Sequence, residues 1–165
     1  SMKQELNTDI LFDKFQSRSE DQPHTTEEGG LNTNVLFEKI EENDPIDRNE
    51  IPFVSREETI NDLYKKVTAS YRSINQFAEA CGIYPSHFHD FLKGIKKLSR
   101  DKLIIVCITL KLNIKESREL LKRVIQADFY PKNKRDFEIM CCIRQGKSLS
   151  DTNEILSNMG LDPLD

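Results

Sequence analysis

One stretch constrains this chain more than any other: Ile74-Asn75-Gln76-Phe77-Ala78-Glu79-Ala80-Cys81-Gly82-Ile83-Tyr84-Pro85-Ser86-His87-Phe88-His89-Asp90-Phe91-Leu92-Lys93. Two short helices that cross at a steep angle need a small residue where their backbones meet, and Ala78 is placed to supply it. The turn between them needs a residue at ease with positive φ, which Gly82 provides. The second helix must bury a face, and Ile83, Phe88, Phe91 and Leu92 recur at the spacing to do so. Pro85 suits the first turn of that helix. The pattern therefore predicts a helix, a tight turn and a second helix whose polar side stays outside.

The surrounding sequence predicts helices and no strand. Ser55-Arg56-Glu57-Glu58 carries a capping-box signature, with Ile60, Leu63, Tyr64 and Val67 following at helical spacing. Ser73 is placed to cap the first helix of the pair, and Gly94 to end the second. Ser99 opens an apolar helix through Leu103, Ile104, Val106, Cys107 and Leu110. Further helices are predicted from about residue 115 to 127, 133 to 145 and 151 to 159, with Gly146 and Gly160 as C-terminal caps. The fold class is all-α, with an acidic, largely irregular arm over 1–55 carrying short helices. A helix-turn-helix domain is expected over 56–129 and a C-terminal helical hairpin over 130–165.

Two repeats lie inside this plan. Leu6-Asn7-Thr8-Asp9-Ile10-Leu11-Phe12 recurs as Leu31-Asn32-Thr33-Asn34-Val35-Leu36-Phe37, 25 residues later. Each copy reads as a short helix with an apolar face. Helices this short are marginal alone, so each needs a surface to lie on. Residues 100–129 also align with 135–164 at a constant offset of 35. Arg100-Asp101 matches Arg135-Asp136, and Ile104, Cys107 and Ile108 match Ile139, Cys142 and Ile143. A duplicated helical hairpin is the reading this supports.

Charge divides the chain. Residues 1–55 hold five Lys and Arg against 13 Asp and Glu, whereas residues 56–150 hold 19 against 11. The overall charge of −4 therefore hides a basic body behind an acidic arm. A mean hydropathy of −0.59 and no long apolar run argue against a membrane span. Cys81, Cys107, Cys141 and Cys142 form no Cys-x-x-Cys pair and read as reduced core thiols, consistent with a cytoplasmic setting.

Ser73 to Lys111 resembles the Xre/Cro phage-repressor-like helix-turn-helix family. The carrying residues are Phe77-Ala78, Gly82-Ile83, Phe88, Phe91, Gly94 and Ser99-Arg100-Asp101-Lys102-Leu103. The segments from Tyr130 to Asp136 and from Leu149 to Leu156 look like the extension of a bacterial subgroup regarded as transcriptional regulators. The resemblance spans about residues 57–164. It implies a DNA-binding regulator, with the second helix of the pair in a major groove and a homodimer on a palindrome. Two departures stand out. Ile74 occupies a position commonly held by a phosphate-binding Gln, and Tyr84-Pro85 opens the recognition helix with no base-reading amide.

On this reading, base edges fall to Ser86, His87, His89, Asp90 and Lys93. Phosphates fall to Lys96, Lys97, Arg100 and Lys102, with Asn75 and Gln76 compensating for Ile74. Leu120, Val124, Ile139, Ile143 and Leu156 are the candidate dimer surface. An alternative is a protein-interaction adaptor that keeps the fold and docks through Leu6, Ile10, Leu11, Phe12, Leu31, Val35, Leu36 and Phe37. No metal site is expected, because His87 and His89 are two apart on a helix and share no face. No cofactor and no catalytic role are expected: nucleotide-binding Gly loop, nucleophile elbow and His-Glu metal helix are all missing from the sequence.

Overall fold

A computed structural model describes residues 31–53 and 55–165 of the chain. Among these residues the protein is all-helical: α1 (Thr33–Glu41), a 3-10 turn (Arg48–Glu50), α2 (Arg56–Ser70), α3 (Ile74–Ala80), α4 (Pro85–Leu92), α5 (Arg100–Thr109), α6 (Ile114–Ile125), α7 (Lys134–Arg144) and α8 (Leu149–Asn158). Short polar residues start nearly every one. Asn32, Ser55, Ser73, Ser99, Asn113, Asn133 and Ser148 each accept a bond from a backbone N–H three residues on. A complete capping box forms at Asn113 and Glu116, a position where the sequence reading placed none. The last helix starts two residues earlier than expected, because Ser148 takes the cap.

The core runs through α2 to α8. Val67, Phe77, Ala78, Phe88, Phe91, Leu103, Ile104, Leu121, Ile139 and Leu156 are fully enclosed. Ala78, on α3, is fully buried, so a larger side chain there would have to displace its neighbours. Gly82 takes φ +68° in the turn. The Gly82 N–H donates to the Glu79 carbonyl and the Ile83 N–H to the Ala78 carbonyl. This doubly bonded ending satisfies the last carbonyls of α3 and aims the chain into α4.

Two helical hairpins, α5–α6 and α7–α8, complete the body, and they exchange equivalent contacts. Arg100 makes two bonds to the Asp136 carboxylate, at 3.0 and 2.6 Å, and a third to the Asp128 carbonyl. Arg135, its match 35 residues on, makes two bonds to Asp101, at 3.1 and 2.8 Å, and one to the Pro163 carbonyl. The Tyr130 N–H donates to Asp136, as the Asp165 N–H does to Asp101. Such reciprocal pairing is the signature of a two-fold interface, here within one chain. Buried Phe129 and Leu164 close the seam at equivalent positions.

The packing corrects one expectation. Leu120, Ile139, Ile143 and Leu156 are buried inside the body, so they form no outward dimer face. The sequence reading took their helical spacing as an exposed stripe, but packing within the body consumes it, Leu120 lying beside Leu63 of α2. The expected boundary at residue 129 lies at this seam, beside buried Phe129. Of the arm, Leu31 to Phe53 is described. The Leu31 N–H donates to the Glu50 carbonyl and closes this segment on itself. Val35 and Leu36 are half-buried there, whereas Phe37 and Ile40 are 62% and 64% exposed. Leu6, Ile10, Leu11 and Phe12, the first copy of the motif, lie outside the described residues.

Candidate nucleic-acid interface

The surface of α4 is set by its underside. Phe88 and Phe91 are fully buried, stacking at a tilt with ring centroids 5.8 Å apart, and Phe77 meets Phe88 edge-on at 5.5 Å. This anchorage fixes which residues of α4 can face solvent. Ser86 is exposed, and His87, His89 and Asp90 are half-exposed on the outward side. Tyr84, at the N-cap, is 82% exposed and makes no side-chain cap bond.

Neighbouring groups hold the polar side chains of α4 in place. The His87 Nε2 lies 3.0 Å from the Lys97 carbonyl, and the His89 Nε2 lies 2.8 Å from the Asn75 Oδ1. Asp90 faces Lys96 at 3.6 Å, while the Asp90 carbonyl accepts from the Ile95 and Lys96 N–H groups. Asn75 therefore braces the outward histidine. Gln76 accepts from the Arg72 N–H through its amide oxygen and stiffens the entrance to α3. The loop after α4 carries exposed Lys93, Ile95, Lys96 and Lys97. Lys93 and Lys97 have no carboxylate partner among the described residues.

The candidates thus separate into two groups. Ser86, His87, His89, Asp90 and Lys93 lie on the unburied part of α4 and its C-terminal end, His87 beside the Lys97 backbone on one flank, His89 beside Asn75 on the other, and Asp90 near Lys96. Arg100 does not belong with them: Asp136 and the Asp128 carbonyl take its guanidinium, and it stacks over Phe129 at 5.6 Å. A lysine-rich context suggested a phosphate ligand, but the duplicated Arg-Asp pair marks Arg100 as an interior clasp. Lys102 follows Ser99 into α5, half-exposed; its N–H is already capped by the Ser99 hydroxyl.

Arg56 is a residue the sequence reading did not single out. Its guanidinium donates to the Phe91 carbonyl at 2.8 Å and lies over the Phe91 ring at 5.4 Å. It ties the C-terminal end of α4 to α2 and holds the outer helix at a fixed angle. The only signal for it was an arginine in a first turn otherwise filled by acids.

Burial governs the cysteines. Burial pushes the Cys81 thiol up to about 11 and the Cys107 thiol to about 12, so neither is a nucleophile near neutral pH. The four cysteines are free thiols. No group of three metal-ligating side chains occurs among the described residues, and no helix there is long and apolar enough to cross a membrane. No family model matches the chain, and no curated protein or solved structure matches it either.

Proposed function

We propose that this protein is a DNA-binding transcriptional regulator in which α4 reads the major groove and the loop after it grips the backbone. The observation that carries this reading is a rigid outer helix beside uncompensated cations. Phe88 and Phe91 bury one side of α4, while Ser86 is exposed and His87 and His89 stay half-exposed on its two flanks, with exposed Lys93 and Lys97 following. Histidine and serine can exchange hydrogen bonds with base edges, whereas lysines neutralise phosphate without sequence preference. Asp90 can accept from a cytosine amine once Lys96 turns to a phosphate. A non-enzymatic role in the cytoplasm fits this assignment, and two copies on a palindrome remain part of it. The dimer contact must then come from a surface other than the hairpin core.

The test is selection from a random duplex pool followed by sequencing of the retained fraction. Enrichment of a short motif that changes when Ser86 and His89 are both replaced by Ala supports base reading by α4. Retention with no motif, or none at all, contradicts it.

A second reading, a protein-interaction adaptor, draws on the exposed apolar edge of α1. Phe37 and Ile40 project from a helix that has no buried residue, as a docking motif would. Capture of a protein through residues 31–42, with duplex DNA ignored, would favour it.

A further inference from the structure

The internal exchange between the hairpins makes a comparison possible within one molecule, because among the described residues what covers α6 has no counterpart over α8. On the first hairpin, α2 packs against α6. Leu63 and Val67 are driven to 3% and 0% exposure, and the Lys66 ammonium meets the Glu116 carboxylate at 2.8 Å. Glu116, Glu119, Leu120 and Arg123 border the α2–α6 groove together with Leu63 and Lys66. The offset of 35 carries these four to Asp151, Glu154, Ile155 and Asn158 on α8. There Asp151, Glu154 and Asn158 are exposed, Ile155 is only half-buried, and Met159 is 44% exposed. Asp151 has no ion-pair partner among the described residues, although its match, Glu116, has one.

The segment of α2 that makes these contacts is Leu63-Tyr64-Lys65-Lys66-Val67. The arm carries the same arrangement as Leu36-Phe37-Glu38-Lys39-Ile40 and, further upstream, as Leu11-Phe12-Asp13-Lys14-Phe15. Leucine, an aromatic residue, a lysine three after the leucine and an apolar residue next to it coincide in all three. In α1 the aromatic and the last apolar residue are exposed, as Tyr64 is in α2 at 49%. We propose that α1 of a second copy docks on α8, with Leu36 and Ile40 against Ile155 and Met159 and Lys39 on Asp151, as α2 docks on α6. The contact reuses an interface geometry already present in the body and matches its charge. Swapping arms both ways between two copies would close a two-fold dimer without using the buried hairpin core. It stands whether or not the protein binds DNA.

The test is sedimentation of the full chain from micromolar to hundreds of micromolar concentration, beside three variants. Wild type is expected to form a dimer. Ile40→Asp and Asp151→Lys should each raise its dissociation constant by about tenfold or more. Lys39→Glu combined with Asp151→Lys should recover most of the affinity lost in the single Asp151→Lys variant. Both altered residues are exposed in the single variants, and an unchanged melting curve confirms that folding is intact. A wild-type monomer throughout the range overturns the proposal, as does a dimer indifferent to both single variants. So does a monomer in which Ile40→Asp speeds amide exchange over Ile155 to Met159, since the chain's own arm would then be the occupant.

Discussion

The outer face of α4 and the seam between the hairpins use basic side chains in opposite ways. In the seam, Arg100 and Arg135 each meet a carboxylate with two parallel bonds, and both pairs are largely shielded from water. Beside α4, Lys93 and Lys97 stand exposed, and Lys96 has only a loose contact with Asp90. Planar guanidinium groups suit a fixed two-point clasp, while flexible ammonium groups suit a ligand whose position varies. The difference teaches that the positive charge of the body is not one pool. Part of it is neutralised by folding, and the rest stays exposed to solvent.

Arg100→Ala should give the largest effect. It strands the Asp136 carboxylate, whose side chain is 5% exposed, and removing one partner of a buried pair costs about 3–5 kcal/mol. Urea denaturation measures this, and a loss below about 1 kcal/mol would remove the clasp from the account. Gly82→Ala comes next. Nothing crowds the added Cβ, but φ +68° penalises it, so a loss of about 1–2 kcal/mol is expected. The same denaturation curves report it.

Acid should separate the regions further. Burial alone would raise the Asp101 carboxyl, but the Arg135 guanidinium outweighs it and holds Asp101 below its ordinary value. Glu116 is likewise lowered by Lys66 and the Asn113 N–H against the effect of burial. A lowered folded-state value means the unfolded chain takes up protons first as pH falls. The stability these groups contribute is present above about pH 4 and drains away below it. Denaturation midpoints between pH 6 and pH 3 should fall less steeply for Arg135→Ala than for wild type. Equal slopes would show that the pair does not govern the acid limb. Replacing Lys93, Lys96 and Lys97 by Gln should have the smallest effect on stability, within about 0.5 kcal/mol, because the side chains are exposed.

The sequence made the helix pair, its turn and most caps legible, because Ala78, Gly82 and the Ser and Asn caps act locally. It left the seam obscure. The stripe of Leu120, Ile139, Ile143 and Leu156 looks the same whether a partner hairpin or a partner molecule covers it. Lys111 was equally hidden. It takes φ +57° at the end of α5, where Gly146 stands in the second hairpin, and its ammonium reaches the Gly146 carbonyl at 2.8 Å. A lysine carries no turn signal, so only the alignment of the hairpins could have pointed to it. Among the binding candidates, local spacing kept Ser86, His87 and His89 off the buried side of α4, where Ser86 is exposed and the histidines are half-exposed. It misassigned Arg100, whose fate depends on a residue 36 positions away.

The most direct test is the affinity of wild type and the Lys93/Lys96/Lys97→Gln variant for duplex DNA, titrated from about 50 to 200 mM salt by fluorescence anisotropy. Wild-type affinity should fall linearly on a log–log plot, and the variant should bind more weakly with a slope shallower by about 2–3. A wild-type protein that ignores DNA at the lowest salt, or a variant that follows the same line, would contradict the assignment of this surface.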